Sequence, residues 1–246
     1  MSTGLFGLSG RRVLVTGASG GLGHAICIEL QALGAEVLAA DRPGAALESV
    51  PAWQRIAADL AGQDGCEVVA RAAIEAGVSD LVLNAGIEGP IGPLDASSIG
   101  GFEHCLEINL MAPVRLSAAL LPHLRAGASL VLMSSIAGLR GNTGIGAYAM
   151  TKAALAQFAR DLAVQWGPRG IRTNAVAPGL IRTPLAAQRL VDQEFMDRRL
   201  QATPLRRVGE AREVAGTVAW LLSAAGAFVC GQTIVVDGGT LVSDGS

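Results

Sequence analysis

Apolar positions along this chain switch repeatedly between a period of two and a period near 3.6. Residues 12–16, Arg-Val-Leu-Val-Thr, form a short β-rich run, and residues 22–33 carry apolar side chains at helical spacing until Gly34 ends them. Further strand patterns fall at 37–40, 55–58, 80–83, 129–133, 171–176 and 233–236. Helical patterns fall at 63–76, 102–124, 147–166 and 211–222. Pro113 and Pro122 predict kinks or a late break within 102–124, and Gly167-Pro168 stops the helix that precedes it. Strands that alternate with helices of ten or more residues predict βαβ units and a parallel sheet.

The expected fold is therefore α/β: a Rossmann-type doubly wound parallel seven-stranded sheet with helices on both faces. Residues 1–246 are expected to form a single domain, with the site where the carboxyl ends of the strands open. Composition supports one core, since half of the 246 residues are apolar. A formal net charge of −2 gives no reason to expect a nucleic acid or membrane partner. The longest nearly apolar run, 218–230, is too short for a bilayer, and residues 1–12 lack the apolar stretch of a signal peptide. A soluble, cytoplasmic protein is expected. Cys27, Cys66, Cys105 and Cys230 form no C-x-x-C pair, and with His24, His104 and His123 they make no metal spacing, so reduced thiols and no metal site are expected.

The first strand runs into a glycine-rich turn, Gly17-Ala18-Ser19-Gly20-Gly21-Leu22-Gly23, and then a helix. Backbone amides at such a helix start hold a pyrophosphate, and side chains there would block its approach. Asp41 ends the second strand, where a carboxylate accepts the ribose hydroxyls of an adenosine and repels a 2′-phosphate. That favours NAD. Arg42 is the counter-argument, because a guanidinium binds the 2′-phosphate of NADP. Asp59-Leu60 offers an adenine contact or, equally, a strand-end turn carboxylate. Asn84-Ala85-Gly86 ends the fourth strand with small residues beside an amide able to pin neighbouring loops.

Ser134-Ser135 ends the fifth strand at the same sheet edge. Tyr148 and Lys152 follow at i and i+4 on one helix face. A free tyrosine, with a pKa of about 10, is too weak an acid to act as a base near neutrality, and an adjacent ammonium stabilises its phenolate. These two are the only tyrosine and the only lysine of the chain. Arginine has taken lysine's other roles and cannot replace a compact ammonium here.

With these residues in order, the sequence resembles the short-chain dehydrogenase/reductase family in its compact, single-domain NAD-dependent branch. The resemblance rests on residues 16–23, Asp59, 84–86, Asn109, 134–138, 148–152, 174–179 and 235–239. It implies a tetrad of Asn109, Ser135, Tyr148 and Lys152. Tyr148 would exchange a proton with a secondary alcohol while hydride passes to or from the nicotinamide. Ser135 would hold the reacting oxygen, Lys152 would lower the Tyr148 pKa and bond the nicotinamide ribose, and Asn109 would hold a relay water. Pro178 and Gly179 would shape the nicotinamide pocket, with Ile181 and Thr183 on its carboxamide; Ile181 reads equally as core. Leu83 departs from the family's asparagine before Asn84. A homotetramer is implied as well.

Substrate recognition is expected in loops 87–99 and 139–147 and in a lid at 184–205. Arg140, between Ser135 and Tyr148, would bind a carboxylate if it faced the pocket and otherwise meets solvent or a subunit. The functional expectation is an NAD-dependent oxidoreductase acting on a small-molecule secondary alcohol: a hydroxy acid, sugar-derived acid or polyol. The alternatives are an NADPH-dependent carbonyl or 3-oxoacyl-thioester reductase and an inactive cofactor-binding sensor. The intact tetrad argues against the sensor.

Overall fold

The computed structural model describes residues 4–93 and 99–243. Its core sheet has seven strands: β1 (Arg12–Thr16), β2 (Glu36–Asp41), β3 (Gln54–Ala57), β4 (Asp80–Leu83), β5 (Ser129–Met133), β6 (Arg172–Pro178) and, last in the chain, β9 (Thr233–Val236). A separate parallel pair, β7 (Ile181–Arg182) and β8 (Gly209–Glu210), lies between β6 and β9 in sequence. The large sheet runs β3-β2-β1-β4-β5-β6-β9, and every pairing is parallel. The expected third strand, 55–58, starts one residue earlier, and Ala58 still donates to the Asp41 carbonyl at 2.8 Å.

The two faces of the sheet are written in the sequence as alternating leucine and valine. Leu14, Leu81, Leu130 and Leu132 point to one core with α2 (Gln63–Glu75), α4 (Ala112–Leu120) and α5 (Gly146–Trp166). Val13, Val15, Val82 and Val131 point to the other, with α1 (Gly21–Ala32) and α8 (Ala211–Leu222). A period of two sends successive side chains to opposite faces, so sheet strands covered on both sides read as continuous apolar runs. Leu83 belongs to the first core, where an asparagine would bury an amide.

The expected helix 102–124 is broken into pieces. α3 (Ile99–Leu106) passes into a π turn at Glu107–Met111, then into α4 and a 3-10 turn at Leu121–His123. Pro113 has no N–H to offer the Asn109 carbonyl four residues back, and the ladder shifts, with Ala112 donating to the Glu107 carbonyl. The whole run, Ile99–His123, is long and apolar enough by length and composition to cross a membrane. In this fold its Cys105, Ala112, Leu116 and Leu120 are buried, as in a core helix. The segment after β7 forms two short helices, α6 (Ala187–Leu190) and α7 (Gln193–Gln201), the second capped by Asp192, which accepts from Phe195 N at 3.0 Å.

The strand order reverses between β1 and β4. The carboxyl ends of β1, β4, β5 and β6 therefore open on a common crevice, which is where doubly wound sheets bind ligands.

Candidate active site

The turn after β1 is shaped by close backbone packing. Gly17 has φ +63°, and a Cβ there would lie 2.7 Å from the Ala85 Cα. A Cβ on Gly23 would lie 2.1 Å from the Gly17 carbonyl oxygen. Asn84 fixes this arrangement from the next strand: its amide donates to the Thr16 carbonyl at 3.0 Å and the Gly17 carbonyl at 3.1 Å. The Thr16 hydroxyl accepts from Asn84 N and Ala85 N in return. α1 starts at Gly21 with no side-chain cap and no acidic residue in its first turn. Its uncapped amides and the positive end of its dipole suit a pyrophosphate, so the turn fits a dinucleotide.

Asp41 reaches this turn from the end of β2. One carboxylate oxygen accepts from Ser19 N at 2.9 Å and from the Ser19 hydroxyl, and the other accepts from Arg42 N at 2.8 Å. The Arg42 side chain is exposed beside it. Asp59 accepts from Ala61 N at 2.9 Å, which is the strand-end turn of its two readings. The Leu60 side chain lies in the core and leaves only its backbone to face outward.

Side chains from the end of β5, the start of α5 and the π turn gather beside the end of β4. Ser134 is a scaffold residue, donating to the Lys152 carbonyl at 2.6 Å. Ser135 caps the short turn Ile136–Leu139, its hydroxyl accepting from Ala137 N at 3.1 Å, and it lines the same cleft as Tyr148. Lys152 is buried; its ammonium donates to the Met133 carbonyl at 2.7 Å and stands 5.5 Å from the centroid of the Tyr148 ring. Asn109, fully buried in the π turn, clamps Ile87: its Oδ1 accepts from Ile87 N and its Nδ2 donates to the Ile87 carbonyl, both at 2.8 Å. Gly86 is where these meet, since a Cβ there would lie 3.2 Å from Asn109 Oδ1 and 3.3 Å from Lys152 Nζ.

One detail differs from expectation. Burial raises the Tyr148 pKa, opposed mainly by the nearby Ser135 hydroxyl; Glu88, Arg189 and Cys105 contribute less. Lys152, expected to lower it, is not among these causes, and burial brings Lys152 itself down to about 8. The Asn109 side chain is committed to Ile87 on both its donor and acceptor sides, so its amide pins the segment after β4.

Ser135 and Tyr148 face a cleft of about 360 Å³, bounded on one side by Pro178, Gly179, Ile181 and Thr183. Ile181, 6% exposed, also belongs to the second core, as the core reading has it. Arg140 also lines the cleft, its carbonyl held by the Asn142 amide at 2.9 Å.

A family model described as enoyl-(acyl carrier protein) reductase matches residues 17–240. The chain belongs to the short-chain dehydrogenase/reductase family. It is an oxidoreductase of that family. A tropinone reductase homolog of Arabidopsis thaliana is 38% identical over 251 residues, covering 96% of this chain and 92% of that protein. Among solved structures, a candidate 2-deoxy-D-gluconate 3-dehydrogenase of Agrobacterium tumefaciens with bound NADP is 31% identical. It superposes with a TM-score of 0.87 over 97% of this chain and 99% of that one. A 7α-hydroxysteroid dehydrogenase holding NADH and 7-oxoglycochenodeoxycholic acid is 29% identical, with a TM-score of 0.90 over 97% of each chain.

In this short-chain dehydrogenase/reductase several site residues lie outside those singled out in the sequence. Thr151 is fully buried and donates to the Tyr148 carbonyl at 2.7 Å while accepting from Asn109 at 3.3 Å. Its place between Tyr148 and Lys152 is the signal that could have found it. Glu88, Arg189 and Arg199 also line the cleft. Part of loop 87–99, expected to face substrate, lies outside the described residues.

Proposed function

We propose that this enzyme transfers hydride between NAD(H) and a secondary alcohol or its ketone, with Tyr148 as the acid/base. The observation that carries the reading is the placement of Ser135 and Tyr148 on one cleft, with the buried Lys152 ammonium 5.5 Å from the Tyr148 ring centroid, beside a glycine turn that fits a dinucleotide. The turn 17–23, Asp41, Asn84–Gly86 and the 178–183 segment would hold the cofactor, which supplies the hydride acceptor or donor. In the oxidative direction Tyr148 takes the carbinol proton as phenolate. Ser135 bonds the carbinol oxygen and fixes its distance from the phenol. Lys152 supplies the positive charge that favours the phenolate, and the Met133 carbonyl holds that ammonium in place. Asn109 is a positioning residue: it fixes Ile87, and so the backbone beside Gly86 and Lys152.

NAD is favoured because Asp41 is already turned to the glycine turn through Ser19. NADP is the second reading, supported by the exposed Arg42 and by the bound NADP of the Agrobacterium relative. Titrating NADH and NADPH separately against the purified chain tests the choice; tighter NADPH binding contradicts it.

Arg140 in the cleft supports an acidic substrate, a hydroxy acid or sugar-derived acid. The 184–205 segment is proposed as the lid over it. A homotetramer in the cytoplasm is part of the same reading. Its supports are β9 at the sheet edge and the exposed Phe228, Val235 and Val242 around it, together with four free cysteines. Turnover of a hydroxy acid against its neutral ester tests the substrate class; equal loss of both in Arg140→Ala contradicts it.

A further inference from the structure

The cleft holds more positive charge than the proposed reaction uses. Arg140 enters from the loop before α5, Arg189 from α6 and Arg199 from α7, so three guanidiniums converge from three segments. Proton transfer is assigned to Ser135, Tyr148 and Lys152, and the dinucleotide to the turn on α1. Glu88 and Arg189, both lining the cleft, pair with each other. Among the described residues neither Arg140 nor Arg199 has an ion-pair partner. Arg199 rests on the Phe195 ring, 5.5 Å from its centroid.

The arginines feel one another. Burial pushes Arg199 below its ordinary value, and the Arg140 and Arg189 charges push it further. Among the described residues the charged lining side chains are Glu88 and these three arginines, which leaves two positive charges unmatched among them. Gathering like charges in a partly closed cleft is unfavourable unless a counter-charge arrives with the ligand.

We propose that Arg140 and Arg199 form a clamp for a doubly negative group, so that the substrate is a hydroxy compound ending in a dianion, either a dicarboxylate or a phosphomonoester. A neutral alcohol would leave both guanidiniums unmatched, and a monoacid would leave one. The clamp also joins the scaffold to the lid, since Arg140 sits before α5 and Arg199 rides on α7. A dianion held between them draws α7 onto the cleft. The dehydrogenase reading above says which atom reacts; the charge of the cleft says what the rest of the substrate carries.

Isothermal titration tests the clamp, on the full chain at pH 7.5, with and without saturating NADH. Succinate and inorganic phosphate serve as dianions and butyrate as the monoanion of matched length. Succinate or phosphate is expected to bind about tenfold more tightly than butyrate, and the stronger of the two identifies which dianion the site takes. Arg199→Gln and Arg140→Gln should each weaken the dianion about tenfold while moving butyrate less than about threefold. Glu88→Gln, which removes the counter-charge without emptying the clamp, should tighten dianion binding about threefold. Equal affinity for succinate, phosphate and butyrate overturns the proposal. So does an Arg199→Gln variant that keeps its dianion affinity, or one that loses NADH affinity in the same proportion, which would make Arg199 a cofactor ligand. The NADH titration reads the dehydrogenase proposal separately, because the anion preference is also measured on the chain without NADH.

Discussion

The Lys152 ammonium stands 5.5 Å from the centroid of the Tyr148 ring and is held there by the Met133 carbonyl at 2.7 Å. A cation is thus fixed in a buried place beside the phenol, and the fold opposes its charge. Its pKa falls from an ordinary 10.5 to about 8. Function and stability pull against each other at this one residue.

Lys152→Met should therefore abolish turnover and yet raise the melting temperature at pH 7. Folding disfavours the protonated form, so the penalty is complete below pH 8. It fades as pH rises from about 8 towards 10.5, where the folded chain has released a proton that the unfolded chain still holds. With the orphaned Met133 carbonyl set against it, the net gain at pH 7 is about 2 kcal/mol, or a few degrees in melting temperature. Calorimetry across pH 7–10 checks this. A variant that melts lower than the parent at pH 7 contradicts it.

Asp41→Ser should move the cofactor preference towards NADP by about tenfold or more in kcat/KM, since it removes the carboxylate that repels a 2′-phosphate. Arg42→Ala should move it the other way. Steady-state kinetics with both dinucleotides reads the ratio, and an unchanged ratio in Asp41→Ser would remove Asp41 from cofactor selection.

Gly23→Ala should cost about 3 kcal/mol, because its Cβ would fall 2.1 Å from the Gly17 carbonyl oxygen, a backbone atom that cannot swing aside. Gly62→Ala is the control. Nothing lies within 4 Å of a Cβ there, and the change should cost less than about 1 kcal/mol. Chemical denaturation of both variants gives the comparison, and equal effects would contradict the packing argument.

The chain should sediment as a tetramer, with Phe228→Asp shifting the distribution to smaller species, since this side chain is wholly exposed in the single chain. A monomer at micromolar concentration contradicts the assembly.

Much of this molecule is legible in its sequence because the relevant signals are local. β1, β4, β5 and β9 have the bounds that alternation and flanking glycines indicate. Tyr148 and Lys152 are visible because an i, i+4 pair shares a helix face whatever the tertiary fold. What is less legible depends on distance. Arg189 and Glu88 are 101 positions apart and meet only because the fold brings α6 to the segment after β4. Arg199 sits in a polar helix whose composition resembles a solvated surface, and only the placement of α7 turns it to the cleft. The π turn at Asn109 was hidden for a different reason: Pro113 signals a break but not which register the ladder takes around it. The direction of the Tyr148 shift depends on burial, which pairwise spacing does not report.

The most direct test of the central claim is Tyr148→Phe, measured for both turnover and NADH binding. The phenyl ring keeps the packing and removes only the hydroxyl that exchanges the proton. The expected result is a loss of about a thousandfold or more in kcat with the NADH dissociation constant within about twofold of the parent. Near-normal turnover in Tyr148→Phe, with folding and NADH binding intact, would contradict the assignment of Tyr148 as the acid/base.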